Sequence, residues 1–273
     1  MGEPEAKELS YDQIVKVLEE FEQMQGLRVL ISGGEPLMHR EFDRLNDFLK
    51  HFPLRKVLLT NGLLLTPKRL ESLNVEEIQI SLDGMKKGHE SLRGQGTFEP
   101  TVAALKRAKE FGFTVSVSTM VHPGNLDEFD DMEKLLKDLG VKEWTVDVPC
   151  QWGRMKEEQS LYLEPQVAGK YLRYGFGGGF HGGGEGYGCG LHLCSVLPDG
   201  SVAKCAFYAE SPVGHISEGL KTCWQKIPPI KLEGLQCQGC AFLDECRGGC
   251  RFRAELLGSP EGKDLYKCHA FED

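Results

Sequence analysis

The sequence predicts an α/β fold of parallel strands joined by right-handed crossovers, followed by a small cysteine-rich region. Apolar runs alternate with amphipathic segments from residue 10 to 152, each apolar run ends in polar or glycine-rich residues, and nine of the ten cysteines lie after position 188. Alternation at this spacing makes either an open doubly wound sheet or a barrel. Both collect functional groups at the C-terminal ends of the strands.

Ser10 is placed to cap a helix over 11–24, with Gln13 positioned for a reciprocal capping box and Ile14, Val17, Leu18 and Phe21 on one face. LRVLIS (27–32) reads as a buried strand ending in Gly33-Gly34-Glu35-Pro36. A helix over 41–50 leads to the strand KVLLT (56–60), which ends in Asn61-Gly62. Thr66-Pro67 starts the next helix, since proline suits the first helical position. EIQISLDG (77–84) is a third strand, followed by a loop that carries Lys86-Lys87 as solvated charges and Arg93, and then by a helix over 100–111. TVSVSTMV (114–121), a helix over 126–139 and EWTVDVP (143–149) complete the series. The first helix has no strand before it, so the repeat begins one strand late.

Residues 175–190 are too rich in glycine for a helix or central strand and read as a linker or lid. A hairpin follows, HLCSVL and SVAKCAF around Pro198-Asp199-Gly200. A two-residue turn at Asp199-Gly200 would set Cys194 opposite Cys205. The tail after 230 has little apolar periodicity and needs something besides a hydrophobic core to hold it.

Composition excludes several function classes. A formal net charge of -9 argues against nucleic acid as a partner. No run of eighteen apolar residues is present, and the first thirty residues are acidic rather than basic and apolar, so neither a membrane span nor a secretory signal is expected. A reduced, cytoplasmic setting follows, and it disfavours disulfides. Eight cysteines, 189, 194, 205, 237, 240, 246, 250 and 268, match two four-thiolate sites. Iron-sulfur clusters tolerate the irregular spacing, whereas zinc prefers paired CxxC units. Cys150 and Cys223 have no close partner in sequence and read as small buried hydrophobes.

The spacing of Cys189, Gly200, Cys205, Cys237, Cys240, Cys246, Cys250 and Cys268 resembles the SPASM domain of radical S-adenosylmethionine enzymes. ISGGEP resembles the glycine-glycine-glutamate motif of the same family. The resemblance implies a partial (β/α)6 TIM-type barrel lacking its first strand over 1–155, a glycine-rich linker over 156–188 and a SPASM domain over 189–273. It implies that Gly33, Gly34 and Glu35 receive the amino group of S-adenosylmethionine, and that Ser81 and Arg93 hold its carboxylate and ribose. Asp83, Thr60 and Asn61 share that rim, where ordinary turn chemistry also explains them. Two auxiliary 4Fe-4S clusters are implied: an outer one on Cys237, Cys240, Cys246 and Cys268, and an inner one on Cys189, Cys205 and Cys250. Cys194, or an open iron site, completes the inner set.

The implied function is hydrogen abstraction by a 5'-deoxyadenosyl radical from a peptide or cofactor precursor, with a flavodoxin- or ferredoxin-like reductant. A tetrapyrrole side chain and a thioether-crosslinked peptide are further substrate classes. Ala206 stands where sulfatase-maturing relatives carry a carboxylate, which argues against that activity. The family's CxxxCxxC loop, which holds the radical-generating third 4Fe-4S cluster, is absent; the first cysteine is Cys150. The 273 residues are therefore expected to be inactive alone, with that cluster belonging to a full-length parent. The alternative is a non-catalytic two-cluster electron-transfer or scaffold protein, or a zinc-stabilised binding module.

Overall fold

The computed structural model describes residues 8–150, 157–177 and 185–271. The chain divides into two compact units. The first comprises Met1–Thr119, Gly124–Thr145 and Phe176–Gly178; the second comprises Met120–Pro123, Val146–Gly175 and Gly179–Asp273.

Helix α1 (Tyr11–Gln23) starts at the expected capping box: the Ser10 hydroxyl accepts from Gln13 N–H (3.3 Å) and the Gln13 side chain accepts from Ser10 N–H (2.9 Å). Five strands, β1 (Arg28–Ile31), β2 (Arg55–Thr60), β3 (Glu77–Ser81), β4 (Thr114–Met120) and β5 (Glu143–Asp147), form one sheet in sequential order. The registers are parallel, pairing Arg28 with Arg55, Val57 with Glu77 and Glu77 with Thr114. The sheet is open, and no closed barrel forms among the described residues. Sequential order is what consecutive right-handed crossovers produce.

Helices α2 (Phe42–Leu49), α3 (Pro67–Ser72), α4 (Lys86–Arg93), α5 (Phe98–Glu110) and α6 (Phe129–Asp138) alternate with these strands. Their apolar positions Leu45, Leu49, Leu105, Ala108, Met132 and Leu136 are buried, as are Val57, Leu58, Ile78, Ile80 and Val117 of the sheet. Leu18, Leu45, Leu49 and Phe52 form one core cluster, joined by Ile14, Val29 and Ile31. Trp144 is buried against Phe129 with ring centroids 5.8 Å apart, and its indole N–H donates to Thr119 Oγ1 at 2.7 Å.

Helix α4 corrects the sequence reading, which left 86–93 as loop. The helix buries Gly88, His89 and Glu90 rather than an apolar stripe. Glu128 receives the Gly88 N–H on both carboxylate oxygens (3.1 Å each), and an added Cβ at Gly88 would lie 2.2 Å from Glu128 Oε2. Arg93 accordingly sits in the last turn of a helix.

In the second unit, residues expected to be linker are helical: a 3₁₀ turn Gln159–Leu161, α7 (Pro165–Ala168) and a second 3₁₀ turn Gly169–Arg173. They pack on the chain's last helix, with Tyr266 Oη donating to Leu163 O at 3.0 Å. An added Cβ at Gly169 would stand 2.4 Å from Tyr266 O. Residues 151–155 of the expected barrel, and 156 and 178–184 of the expected linker, lie outside the described residues.

Strand β6 (Tyr187–Cys189) pairs with β10 (Ile230–Lys231), while β7 (Ser195–Val196), β8 (Ser201–Ala203) and β9 (Gly214–His215) form a three-stranded sheet. The hairpin exists, but its register differs from expectation. Ser195 pairs with Ala203 and Val196 with Val202, and Leu197 N–H donates to Ser201 O at 2.8 Å. The loop is thus three residues, with Gly200 at φ +86°. A left-handed third residue is the usual closure of such a loop. Continued outward, this register sets Cys194 against Lys204, not Cys205. Short helices α8 (Leu220–Gln225), α9 (Leu243–Cys246), α10 (Arg251–Leu256) and α11 (Leu265–Cys268) complete the unit.

Candidate S-adenosylmethionine rim and cysteine clusters

Parallel strands bring the ends of β1, β2 and β3 to one edge of the sheet. Just past β1, Ser32, Gly33 and Gly34 are exposed, and a Cβ added at either glycine would meet nothing within 4 Å. Glu35 follows, its carboxylate fixed from three sides. Oε1 accepts from Thr60 Oγ1 (2.8 Å) and Leu37 N–H (3.2 Å), and Oε2 accepts from Asn61 N–H (2.9 Å). A carboxylate has about four acceptor positions, so one is left to face an ammonium group beside the open glycine backbone.

Ser81 ends β3 opposite Ser118 of β4 and is half-buried. Two residues on, Asp83 is 1% exposed and accepts from Arg93 Nε at 2.5 Å. Its backbone is also held: Asp83 N–H donates to His89 Nδ1 (3.2 Å), and Asn125 Nδ2 donates to Asp83 O (2.7 Å). Using Nε for Asp83 leaves the far edge of the Arg93 fork for a ligand carboxylate, the geometry in which guanidinium binds such groups best. Thr60, Asn61 and Asp83 therefore brace Glu35 and Arg93. Sequence reasoning set these residues on the rim but did not find their bracing role, because nothing local marks partners ten to twenty-six residues away.

In the second unit, the four thiols of the outer set influence one another electrostatically. Cys237 and Cys240 act through space on the thiol of Cys246, and Cys237 and Cys246 act on that of Cys268; burial is the larger cause in both, pushing Cys246 up and Cys268 up to about 11. Cys189 neighbours Cys205 in the same way, again behind burial. Burial pushes Cys250 up to about 11, and Cys250 in turn acts on the buried Cys150. Burial pushes Cys194 up to about 11 as well, with Cys223 its other influence. Cys194 is thus grouped with Cys223 rather than set across from Cys205. Among the described residues, no three His, Cys, Asp or Glu side chains converge on a single-ion site.

A buried ionic network sits beside these thiols. Asp264, 1% exposed, accepts from Arg253 Nε (3.1 and 3.0 Å at its two oxygens), from Arg253 Nη2 (2.8 Å) and from Cys250 N–H (2.7 Å). It also caps α11, its carboxylate taking Lys267 N–H (3.3 Å) and its carbonyl taking Cys268 N–H (2.9 Å). Arg253 Nη1 donates to Asp147. One residue thus holds the backbone of both Cys250 and Cys268, the first through its carboxylate and the second through its carbonyl.

Residues 1–139 match the family model described as the Radical SAM superfamily. The chain belongs to the radical SAM superfamily. It is 29% identical over 297 residues to the mycofactocin maturase MftC of Mycolicibacterium smegmatis, covering 96% of this chain and 76% of that protein. It is 28% identical to the AdoMet-dependent heme synthase of Methanosarcina barkeri, covering 91% of this chain and 84% of the synthase. Among solved structures, Streptococcus suis SuiB bound to S-adenosylmethionine aligns with a TM-score of 0.71 at 15% identity, covering 96% of this chain and 70% of SuiB. Native anSMEcpe with bound AdoMet aligns with a TM-score of 0.71 at 18% identity, covering 97% of this chain and 86% of anSMEcpe. At these identities the two structures establish the fold. No helix among the described residues is long and apolar enough to cross a membrane.

Proposed function

We propose that this chain is the ligand-binding and auxiliary-cluster portion of a SPASM-type radical S-adenosylmethionine maturase acting on a peptide or cofactor precursor. The observation that carries this is the rim at the end of β1 and β2: open glycines beside a carboxylate already oriented by Thr60, Asn61 and Leu37. Such a carboxylate needs no reorganisation to meet the methionyl ammonium, and preorganisation of this kind is what a binding site contributes. Ser81 and the Asp83-braced Arg93 lie one strand along and would take the carboxylate and ribose of the same ligand.

When bound, S-adenosylmethionine and the clusters supply radical and electron-transfer chemistry; the chain's residues bind, orient and exclude water. Cys237, Cys240, Cys246 and Cys268 would hold the outer cluster. Cys189, Cys205 and Cys250 would hold the inner one, and Cys194→Ser, read as iron per chain, tests the fourth position. Relatives named as a mycofactocin maturase and as a heme synthase support a peptide or a tetrapyrrole as substrate class. A flavodoxin- or ferredoxin-like protein would be the reductant, in a cytoplasmic setting.

The alternative reading is a non-catalytic two-cluster electron-transfer or scaffold protein. Anaerobic reconstitution separates the readings. About eight iron per chain as two four-thiolate clusters, with S-adenosylmethionine binding lost in Glu35→Ala, supports the first. Iron loading without ligand binding supports the second, and zinc without iron removes both. The chain alone is expected to release no 5'-deoxyadenosine; turnover would overturn that expectation.

A further inference from the structure

Arg251 is the most deeply buried cation of the second unit among the described residues, 1% exposed, and immediately follows Cys250. Its Nη1 donates to two backbone carbonyls, Pro260 O at 3.0 Å and Gly262 O at 2.7 Å, which fix the plane of the guanidinium. Nε and Nη2 are equally buried and have no hydrogen-bond partner among the described residues. Neutral carbonyls are its only bonded partners there; Glu261, which is exposed, feels the charge through space without forming an ion pair with it. A buried guanidinium left with unmet N–H groups and no ion-pair partner is costly. Arg253, two residues on, shows the ordinary solution in the same helix: two carboxylates face it.

What lies beside the unmet donors is the loop between Cys246 and Cys250. A Cβ added to Gly248 would stand 3.3 Å from both Cζ and Nη2 of Arg251, so the glycine is what lets the guanidinium lie against this loop. Gly248 is also at φ +82°, and its N–H donates to Cys246 Sγ at 3.2 Å. Leu235, which leads into Cys237, crowds the same position, its Cδ1 2.5 Å from a Cβ added at Gly248. Gly248 thus adjoins Arg251 Nη2 and also donates to Cys246 Sγ, which sets the unmet edge of the guanidinium against a residue bonded to outer-set sulfur. A cluster held by four thiolates is anionic, and its sulfur atoms accept hydrogen bonds.

We propose that Arg251 donates hydrogen bonds through Nε and Nη2 to sulfur of the outer cluster, the one Cys246 would hold, and sets that cluster's reduction potential. This rests on the two-cluster reading above. Reduction adds negative charge, so a fixed cation with aligned donors favours the reduced state. Arg251 is a positioning and tuning residue, while the cysteines remain the ligands. The rival account makes it only a strap holding the 260–262 loop through Nη1.

The test compares wild type, Arg251→Lys and Arg251→Met in the full chain, reconstituted anaerobically. The measurements are iron and sulfide per chain, far-ultraviolet circular dichroism, and redox titration followed by electron paramagnetic resonance. Wild type is expected to show two reduction waves. In Arg251→Lys the fold is kept, and the wave that Cys246→Ser alters moves negative by about tenfold in the reduction equilibrium, about 59 mV for one electron. Arg251→Met, which loses the charge as well as the fork, moves it further. Selective loss of the outer cluster, to about four iron per chain, also agrees. Unmoved waves with the fold intact overturn the proposal, as does movement of the wave that Cys205→Ser alters. Loss of fold in Arg251→Lys assigns the residue to the strap role and overturns it too. Fewer than two waves in wild type would instead refute the two-cluster reading, whatever the variants do.

Discussion

The two units of this chain are held together by different physics. In the first, β2, β3 and the helices around them bury Val57, Leu58, Ile78, Ile80, Leu105 and Met132, and the polar rim is built on that apolar base. In the second, the strands are two or three residues long, and beside apolar side chains such as Val202, Ile216, Leu220 and Leu235 the buried set includes Arg251, Arg253, Asp264 and Cys237. Hydrophobic burial is proportional to area and indifferent to partner; a buried guanidinium is stable only with its particular partner in place. On the two-cluster reading, the first unit is therefore expected to hold by its sequence alone, and the second by its sequence together with what its thiols would bind.

The largest expected effect breaks this comparison directly. Stripping iron with a chelator is expected to abolish amide-exchange protection in α9 to α11 while leaving β2 to β4 protected; equal loss in both units would refute the distinction. Next, Arg253→Ala leaves Asp264 buried without its cation and is expected to cost about 3–5 kcal/mol, confined to the second unit and read by denaturant unfolding of the loaded chain. Ile80→Ala sharpens the contrast from the other side: about 2–5 kcal/mol lost through a cavity, the same with or without iron. Glu35→Gln is expected to weaken S-adenosylmethionine binding about tenfold, or about 1.4 kcal/mol, by calorimetry, with no change in unfolding. Thr60→Val removes one of the three groups that orient Glu35 and is expected to weaken the same binding by about 1 kcal/mol.

The same difference explains what could be read beforehand. The five strands were legible because each is an apolar run ended by turn residues, and the cysteine spacing was legible because thiols have few other uses at that density. Helix α4 was not, since its inward face is Gly88, His89 and Glu90, and the residue it answers to, Glu128, lies forty positions on. The hairpin was expected, but its register was off by one because Pro198-Asp199-Gly200 closes as a three-residue loop. GGEP was identified as a site, yet its bracing by Thr60 and Asn61 depends on strand register. The Arg253, Asp264 and Asp147 network was invisible for a similar reason: charged residues in a polar tail carry no periodicity.

Asp264 has a further consequence, for the order of assembly. Because it fixes Cys250 through one oxygen and caps the helix ending at Cys268, the two proposed cluster sites would share a single preorganising group. Filling either site would settle this carboxylate in place and so prepare the other, which makes loading cooperative. Chains carrying one cluster would then be scarce at equilibrium compared with empty and doubly filled ones.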